Sequence, residues 1–326
     1  MRFGGTVELH LHMDICMSFE AVASLDPSVD ADAYRRDFVG PERFDSLVSF
    51  LASTGRHIDL LQTERGLRTC MRDLRAQLAA DDALHAEPRF APLQHLEGDL
   101  TAREAVEIVV EEARDWQRDG LSCAVILCTL RHYSEAESIQ TAELATALHS
   151  EDLPVAFDLA GDEAGYPLAT HLRAFEIVRG AGAPFTVHAG EAVGAESVAE
   201  VLDCLQPRRI SHGVRSIEDP AVVARLVREG VHLEACPSSN VQTSTAPSIA
   251  EHPIDALAAA GVSIGISTDQ RGITDTTLTN EMRLLVDAFG WDRAVLARRQ
   301  LDALEAAFVT EPKRARLRER LVASWA

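Results

Sequence analysis

Lysine is nearly missing from this 326-residue chain, with Lys313 alone against thirty arginines. A pair of metal ions bridged by a carbamylated lysine, one design used by binuclear hydrolases, therefore has no residue on which to form. Basic charge as a whole is scarce: the net charge is −20. That argues against polyanionic partners such as nucleic acid, whose binding leans on clustered Lys and Arg. The six cysteines (16, 70, 123, 128, 204, 236) contain no CxxC pair, so they read as reduced, mostly core residues without structural disulfides. No apolar run approaches the ~20 residues of a membrane span. Met1 to Glu8 lacks the basic start and apolar stretch of a signal peptide, and a cytoplasmic protein without membrane contact is expected.

What is present is a soluble composition with material for a large core, 46% hydrophobic at a mean hydropathy of −0.04. Eight short apolar runs read as strands buried on both faces: Val7 to His12, Leu84 to Ala91, Cys123 to Leu130, Val155 to Ala160, Phe185 to Ala189, Arg209 to His212, Val231 to Cys236 and Val262 to Ser267. Between them lie helical patterns such as Ala102 to Arg118 and Pro220 to Glu229, the latter bounded by Asp219 and Gly230. Eight strands alternating with helices predict an α/β fold, the (β/α)8 TIM barrel, as one domain over residues 1–326. The exception is the interval 18–83, where Pro41 to Thr54 and Thr63 to Ala80 are helical by pattern. It reads as an insertion after the first strand, either a lid over the barrel mouth or a decoration.

Ionisable residues gather where these strands end, the edge at which such barrels build their chemistry. They are His10 and His12, His188 with Glu191, His212, and Asp269. Residues two apart on a strand share a face, so His10 and His12 can reach one ion, although an isolated pair is as readily explained as core packing. With His188 and Asp269 they make three imidazoles and one carboxylate, a set suited to a single Zn²⁺ with a position left for water. Such water loses a proton near neutrality. Asp269 is then placed to orient it or take its proton, Glu191 to act as proton donor if kept protonated, and His212 to support the attacking oxygen. The plainer readings are a helix N-terminal acid for Glu191 and a rim residue for His212.

Six segments in order, His10-Leu11-His12-Met13-Asp14, Asp158-Leu159-Ala160-Gly161-Asp162-Glu163, His188-Ala189-Gly190-Glu191, Ser211-His212-Gly213, Cys236-Pro237-Ser238-Ser239-Asn240 and Ser267-Thr268-Asp269, resemble the adenosine deaminase family. Glu87 to Pro92 and Thr276 to Glu281 fit as well. The resemblance implies a barrel carrying one zinc ion that hydrolyses the 6-amino group of a purine, adenosine or deoxyadenosine first among them. By it, His10, His12, His188 and Asp269 bind the metal, Glu191 protonates N1 and His212 steadies the hydroxide attacking C6. Gly161 meets N3, Asp14 faces the ribose 5′-hydroxyl, and His12 also borders the substrate.

Two positions depart from that pattern. Gln270 stands where the family has a second acid in contact with N7. An amide donates a hydrogen bond at any ordinary pH, so Gln270 either keeps that contact or favours another base. Ile15 stands where a glycine is usual and narrows the sugar pocket. Adenine, or an adenosine altered at the 5′ position, is therefore an alternative substrate. A purine-binding protein without turnover is a further alternative, although no expected ligand or acid is missing. Deaminases that act on polynucleotides pair HxE with PCxxC, and no PCxxC occurs here. Of the other polar residues, Glu87 and Arg89 read as an ion pair near the barrel floor, Arg131-His132 as a strand-end salt bridge, and Cys236-Pro237 as a turn. His57, His85, His95, His149, His171, His232 and His252 read as surface or packing residues. No sequence feature argues for an oligomer.

Overall fold

A computed structural model describes residues 3–326. Its strands are β1 (Thr6–His12), β2 (Ala83–Phe90), β3 (Ser122–Cys123), β4 (Val125–Leu130), β5 (Val155–Ala160), β6 (His188–Ala189), β7 (Arg209–His212), β8 (His232–Ala235) and β9 (Ser263–Ile266). Every pairing between them is parallel. One sheet runs β1-β2-β4-β5 with β3 beside β2, and the other runs β6-β7-β8-β9. Parallel bridges Phe157–Phe185 and Leu11–Asp269 join the two. Since β3 and β4 are separated by Ala124 alone and both border β2, they fill one barrel position. The result is the expected eight-position α/β barrel. The run from Phe185 contributes one isolated bridge, to Phe157, and becomes a strand only at His188.

Alternation along each strand sorts side chains between two environments. Val7, Leu9 and Leu11 face outward into the large core shared with the helices, as do Val155, Phe157 and Leu159. The inward positions are polar and fully buried: Glu8, His10, Glu87, Arg89, Asp158, Arg209, Ser211 and Glu234. This interior is an ionic stack. Arg89 donates to Asp158 at 2.7 Å and to Glu234 at 2.6 Å, and Arg209 bonds Glu87 and also Glu234, the latter at 2.7 Å. The expected Glu87–Arg89 pair therefore does not form. Same-face neighbours on a strand stand ~6.5 Å apart along the backbone, and each finds a closer partner on another strand across the barrel.

Five helices separate β1 from β2: α1 (Phe19–Leu25), α2 (Ala31–Asp37), α3 (Leu47–Ser53), α4 (Gly55–Asp59) and α5 (Glu64–Ala80). The helix expected from Pro41 starts only at Leu47. Before it, the Gly40 and Phe44 N–H groups are taken by the carbonyls of Ile273 and Gln242 at 2.8 and 2.7 Å. Ser46, with extended backbone, then forms a capping box with Ser49. Helix α5 covers the segment expected from Thr63, which serves as its cap, and α6 (Ala102–Arg118) is opened by a Thr101–Glu104 capping box. No helix among the described residues is long and apolar enough to cross a membrane.

Candidate active site and metal centre

The ends of β1, β6, β7 and β9 bring His10, His12, His188, His212 and Asp269 to one spot above the ionic stack. His10, His12 and His188 offer nitrogens within 4.8 Å of one another, and so do His10, His212 and Asp269 with their ligand atoms. His212 and Asp269 are both in the left-handed backbone region, with φ of 62° and 66°. A residue leaving a strand in that conformation turns out of the alternation, which is how both swing over the barrel axis. The Asp269 turn is held to β1 by two backbone bonds, His12 N to Asp269 O at 2.6 Å and Asp269 N to His10 O at 3.0 Å.

Two carboxylates in the stack orient the histidine rings. His188 Nδ1 is 3.1 Å from Asp158, and His10 Nδ1 is 3.2 Å from Glu234. Arg89 holds both acids. With Nδ1 turned to a carboxylate, Nε2 presents its lone pair to the centre, the usual arrangement around a ligating histidine. The bare Nε2 of His188 then lies 3.3 Å from His12 Nε2, and His10 Nε2 lies 3.2 Å from Asp269 Oδ1. Both His10 nitrogens are buried without a well-aligned hydrogen bond, Nδ1 beside Glu234 and Nε2 beside Asp269. Two guanidiniums, Arg89 and Arg209, pair with the carboxylates of Glu87, Asp158 and Glu234, whereas Asp269 faces imidazoles. The donor set fits a divalent cation with nitrogen and oxygen ligands.

Glu191 and Asp269 border the same cavity in opposite states. Burial, with the Asp269 and Glu163 carboxylates nearby, pushes the Glu191 carboxyl well above its usual range. Burial also disfavours ionised Asp269, but His10, His212 and His12 overcome it and hold that group well below its usual range. Ser239 adds a hydrogen bond to Asp269 at 2.6 Å. The loop carrying Glu191 hangs on Glu163, whose carboxylate accepts from the backbone N–H groups of residues 190, 191, 192 and 193 at 2.7–3.1 Å. Gly190 makes the turn into this cradle with φ of 66°, and a Cβ there would sit 2.5 Å from Val198.

The cavity in front of these groups is lined by His12, Asp14, Ile15, Gly161, His132, His188, Glu191, His212 and Asp269 among others, and by Leu47, Phe50, Leu51, Thr54 and Ile58 of the insertion. Asp14 and Gly161 thus reach it as expected. Gln270 does not. It is fully buried behind Asp269, and its amide, with the NH₂ turned to the carboxylate, donates to both Asp269 oxygens at 2.6 and 3.2 Å. This contact holds the Gln270 amide against Asp269. Ile15 packs with Phe44, Leu47, Phe50 and Ile273 and forms part of the apolar wall.

Other expectations change as well. Arg131 makes no strand-end salt bridge but donates to the carbonyls of Tyr166 and His188 at 3.1 and 3.0 Å. Cys236-Pro237 opens a helix, Pro237–Gln242, rather than a simple turn. Pro suits the first helical position because its missing N–H has no partner there. That helix presents Ser239 and Asn240 to the site. His252, read as packing, is bonded to Asn240 and through it to His212. Sequence reasoning left Asp158, Glu163 and Glu234 without roles. Glu163 and Asp158 lay inside a quoted motif, and an acid such as Glu234 within an apolar strand was the available signal.

A family model described as adenosine deaminase matches residues 6–324. An adenosine deaminase of a Mycobacterium species is 36% identical over 300 residues, covering 87% of this chain and 82% of that one. Among solved structures, an adenine deaminase from Arthrobacter aurescens superposes with a TM-score of 0.90 at 26% identity over 98% of both chains. A zinc-bound amidohydrolase from Burkholderia ambifaria superposes at 0.89 with 21% identity, over 98% of this chain and 90% of that one, and supports the fold. A match across nearly the whole chain, together with an acid and a metal-type cluster at the strand ends, means that this chain belongs to the adenosine deaminase family of aminohydrolases.

Proposed function

We propose that the chain uses one Zn²⁺, held by His10, His12, His188 and Asp269, to hydrolyse the 6-amino group of an uncharged 6-aminopurine. Adenosine or deoxyadenosine is the first candidate, with inosine or deoxyinosine and ammonia as products. The observation that carries this reading is the meeting of Glu191, whose carboxyl is pushed up, with Asp269, whose carboxyl is held down, in one cavity beside the His10, His12 and His188 cluster. Two acids held in opposite states mark donor and acceptor roles.

When bound, the ion lowers the pKa of a coordinated water towards neutrality. Glu191 donates its proton to ring N1, which leaves C6 more electrophilic and removes negative charge from the ring as oxygen adds there. Asp269 takes one proton of the attacking water and passes it to the amino group, which leaves as ammonia when the C6–N bond breaks; the hydroxyl proton lost as the 6-oxo group forms restores the acid form of Glu191. His212 supports the oxygen, its Nε2 lying 3.6 Å from Glu191 and 3.8 Å from Asp269. Gly161 bounds the ring at N3 and Asp14 faces the sugar.

Among the described residues no arginine or lysine lines the cavity, whereas Asp14, Glu191 and Asp269 do. A phosphate would meet carboxylates with no cation to pair, which favours nucleoside or base over nucleotide. The apolar wall with Ile15 favours a second reading, adenine or a 5′-modified adenosine, and the likeness to an adenine deaminase is consistent with it. The test is ammonia release by the zinc-loaded protein from adenine, adenosine, 2′- and 5′-deoxyadenosine, 5′-thio-substituted adenosines and AMP, with and without prior chelation. Chelator-sensitive release from one uncharged member is expected. AMP as the best substrate would overturn the uncharged reading, and silence across the panel with zinc bound would overturn the deaminase reading.

A further inference from the structure

Behind His212, on the side away from the cavity, three hydrogen bonds run in series through buried groups. His212 Nδ1 is 3.1 Å from Asn240 Nδ2, Asn240 Oδ1 is 3.1 Å from His252 Nε2, and His252 Nδ1 is 3.1 Å from the backbone nitrogen of Ile254. His212, Asn240, His252 and Ile254 are each at most 3% exposed, so water does not compete for these contacts.

The polarity of the series follows from its last link. A backbone N–H only donates, so His252 Nδ1 must accept from Ile254. A neutral imidazole carries one N–H, and in His252 it must be on Nε2. Burial keeps that ring neutral, its pKa lowered to about 3. The Nε2–H then donates to the Asn240 carbonyl oxygen, which fixes the amide with its NH₂ towards His212. His212 Nδ1 accepts, and the single proton of the neutral His212 ring stands on Nε2, facing the gap between Glu191 and Asp269.

We infer that Ile254 N–H, His252 and Asn240 form a one-way hydrogen-bond relay that sets the tautomer of His212, making it a donor towards the attacking oxygen. His252 and Asn240 are positioning residues, acting only through His212. A donor at Nε2 cannot take the water's proton there, so proton acceptance falls to Asp269. The catalytic consequence rests on the deaminase reading above, whereas the tautomer itself does not.

The test is long-range ¹H–¹⁵N correlation on zinc-loaded protein with ¹⁵N-labelled histidine, the His212 signals being assigned by their loss in His212→Gln. Wild type should show protonated Nε2 and bare Nδ1. Asn240→Asp keeps the shape but offers only acceptors, so the His212 proton should move to Nδ1. Zinc content should be unchanged while kcat falls on the order of 10⁴-fold, the scale of a wrong-tautomer histidine in a hydrolase. His252→Phe, which frees the amide to turn, should give a mixture of tautomers and a smaller loss in kcat than Asn240→Asp, with KM little changed in both. Protonated Nδ1 in wild type, or Nε2–H retained in both variants, overturns the relay. An inverted tautomer in Asn240→Asp, in a protein that deaminates nothing, supports the relay and sinks the deaminase reading alone.

Discussion

Glu191 and Asp269 are chemically near-identical side chains in one cavity, and their surroundings separate them. Asp269 faces three imidazoles and a serine hydroxyl, each of which stabilises the anion. Glu191 has two carboxylates nearby and only a 3.5 Å contact from the Thr243 hydroxyl in compensation. Glu191→Gln keeps the shape and cannot donate an acidic proton, so kcat should fall about 10²–10⁴-fold, the contribution of a general acid, with zinc content unchanged by elemental analysis. The pH dependence follows in sign. Since the donor must be protonated and its pKa is raised, kcat/KM should fall as pH rises through that raised value, later than an ordinary carboxyl would allow. That limb should vanish in Glu191→Gln. A limb unchanged by the substitution would assign it to another group.

At the scale of elements, the strand ends supply the chemistry and the insertion supplies the wall. Helix α3 places Leu47, Phe50 and Leu51 on the cavity, and its neighbour α4 adds Ile58. We propose that this pair covers the bound purine. Phe50→Ala removes part of that apolar cover, and fully burying such a side chain is worth ~1.5–3 kcal/mol. KM should rise about tenfold, with a lesser change in kcat, by steady-state assay; an equal loss in both would place Phe50 in the chemical step. Strand β5 illustrates the supporting role, since Asp158 touches no ligand position yet holds both His188 and Arg89. Asp158→Asn should weaken zinc binding about 10–100-fold, as loss of an outer-shell partner does, measured by competition with a chromophoric chelator. Unaltered affinity would show that the ring is oriented by packing alone.

For the whole molecule, the barrel axis is polar where many cores are apolar. Ions in such an interior are favourable only when completely paired, and a cation held at the proposed centre would add to that pairing. The buried neutral histidines add an acid sensitivity. His232 and His252 have pKa values lowered from 6.5 to about 3, burial being the main cause. Their folded values lie below the unfolded ones, so the unfolded chain takes up protons first. Stability is therefore greatest above pH ~6.5 and is lost as pH falls through the window down to about 3, by on the order of 1.4 kcal/mol per pH unit for each group. Urea unfolding at pH 7 and pH 5 should show the midpoint dropping, and His252→Phe should flatten that drop by its share. A midpoint independent of pH across this interval would mean that these rings are protonated in the folded state.

The sequence by itself determined the inventory and placement of the chemistry. Strand alternation is a local, two-residue property, so His10 and His12 had to share a face, and the strand ends at His188, His212 and Asp269 could be read without knowing their neighbours. The capping residues Thr63, Thr101 and Asp219 likewise fix helix starts through contacts made within one turn. Only the tertiary structure decided which groups meet across the barrel. Arg89 bonds Asp158 and Glu234 rather than Glu87, the insertion's first cavity-lining helix waits until Leu47, Gln270 turns to Asp269 instead of the cavity, and His252 is wired to His212. Each of those outcomes depends on a distance set by barrel closure between residues far apart in the chain, and no local periodicity encodes such a distance.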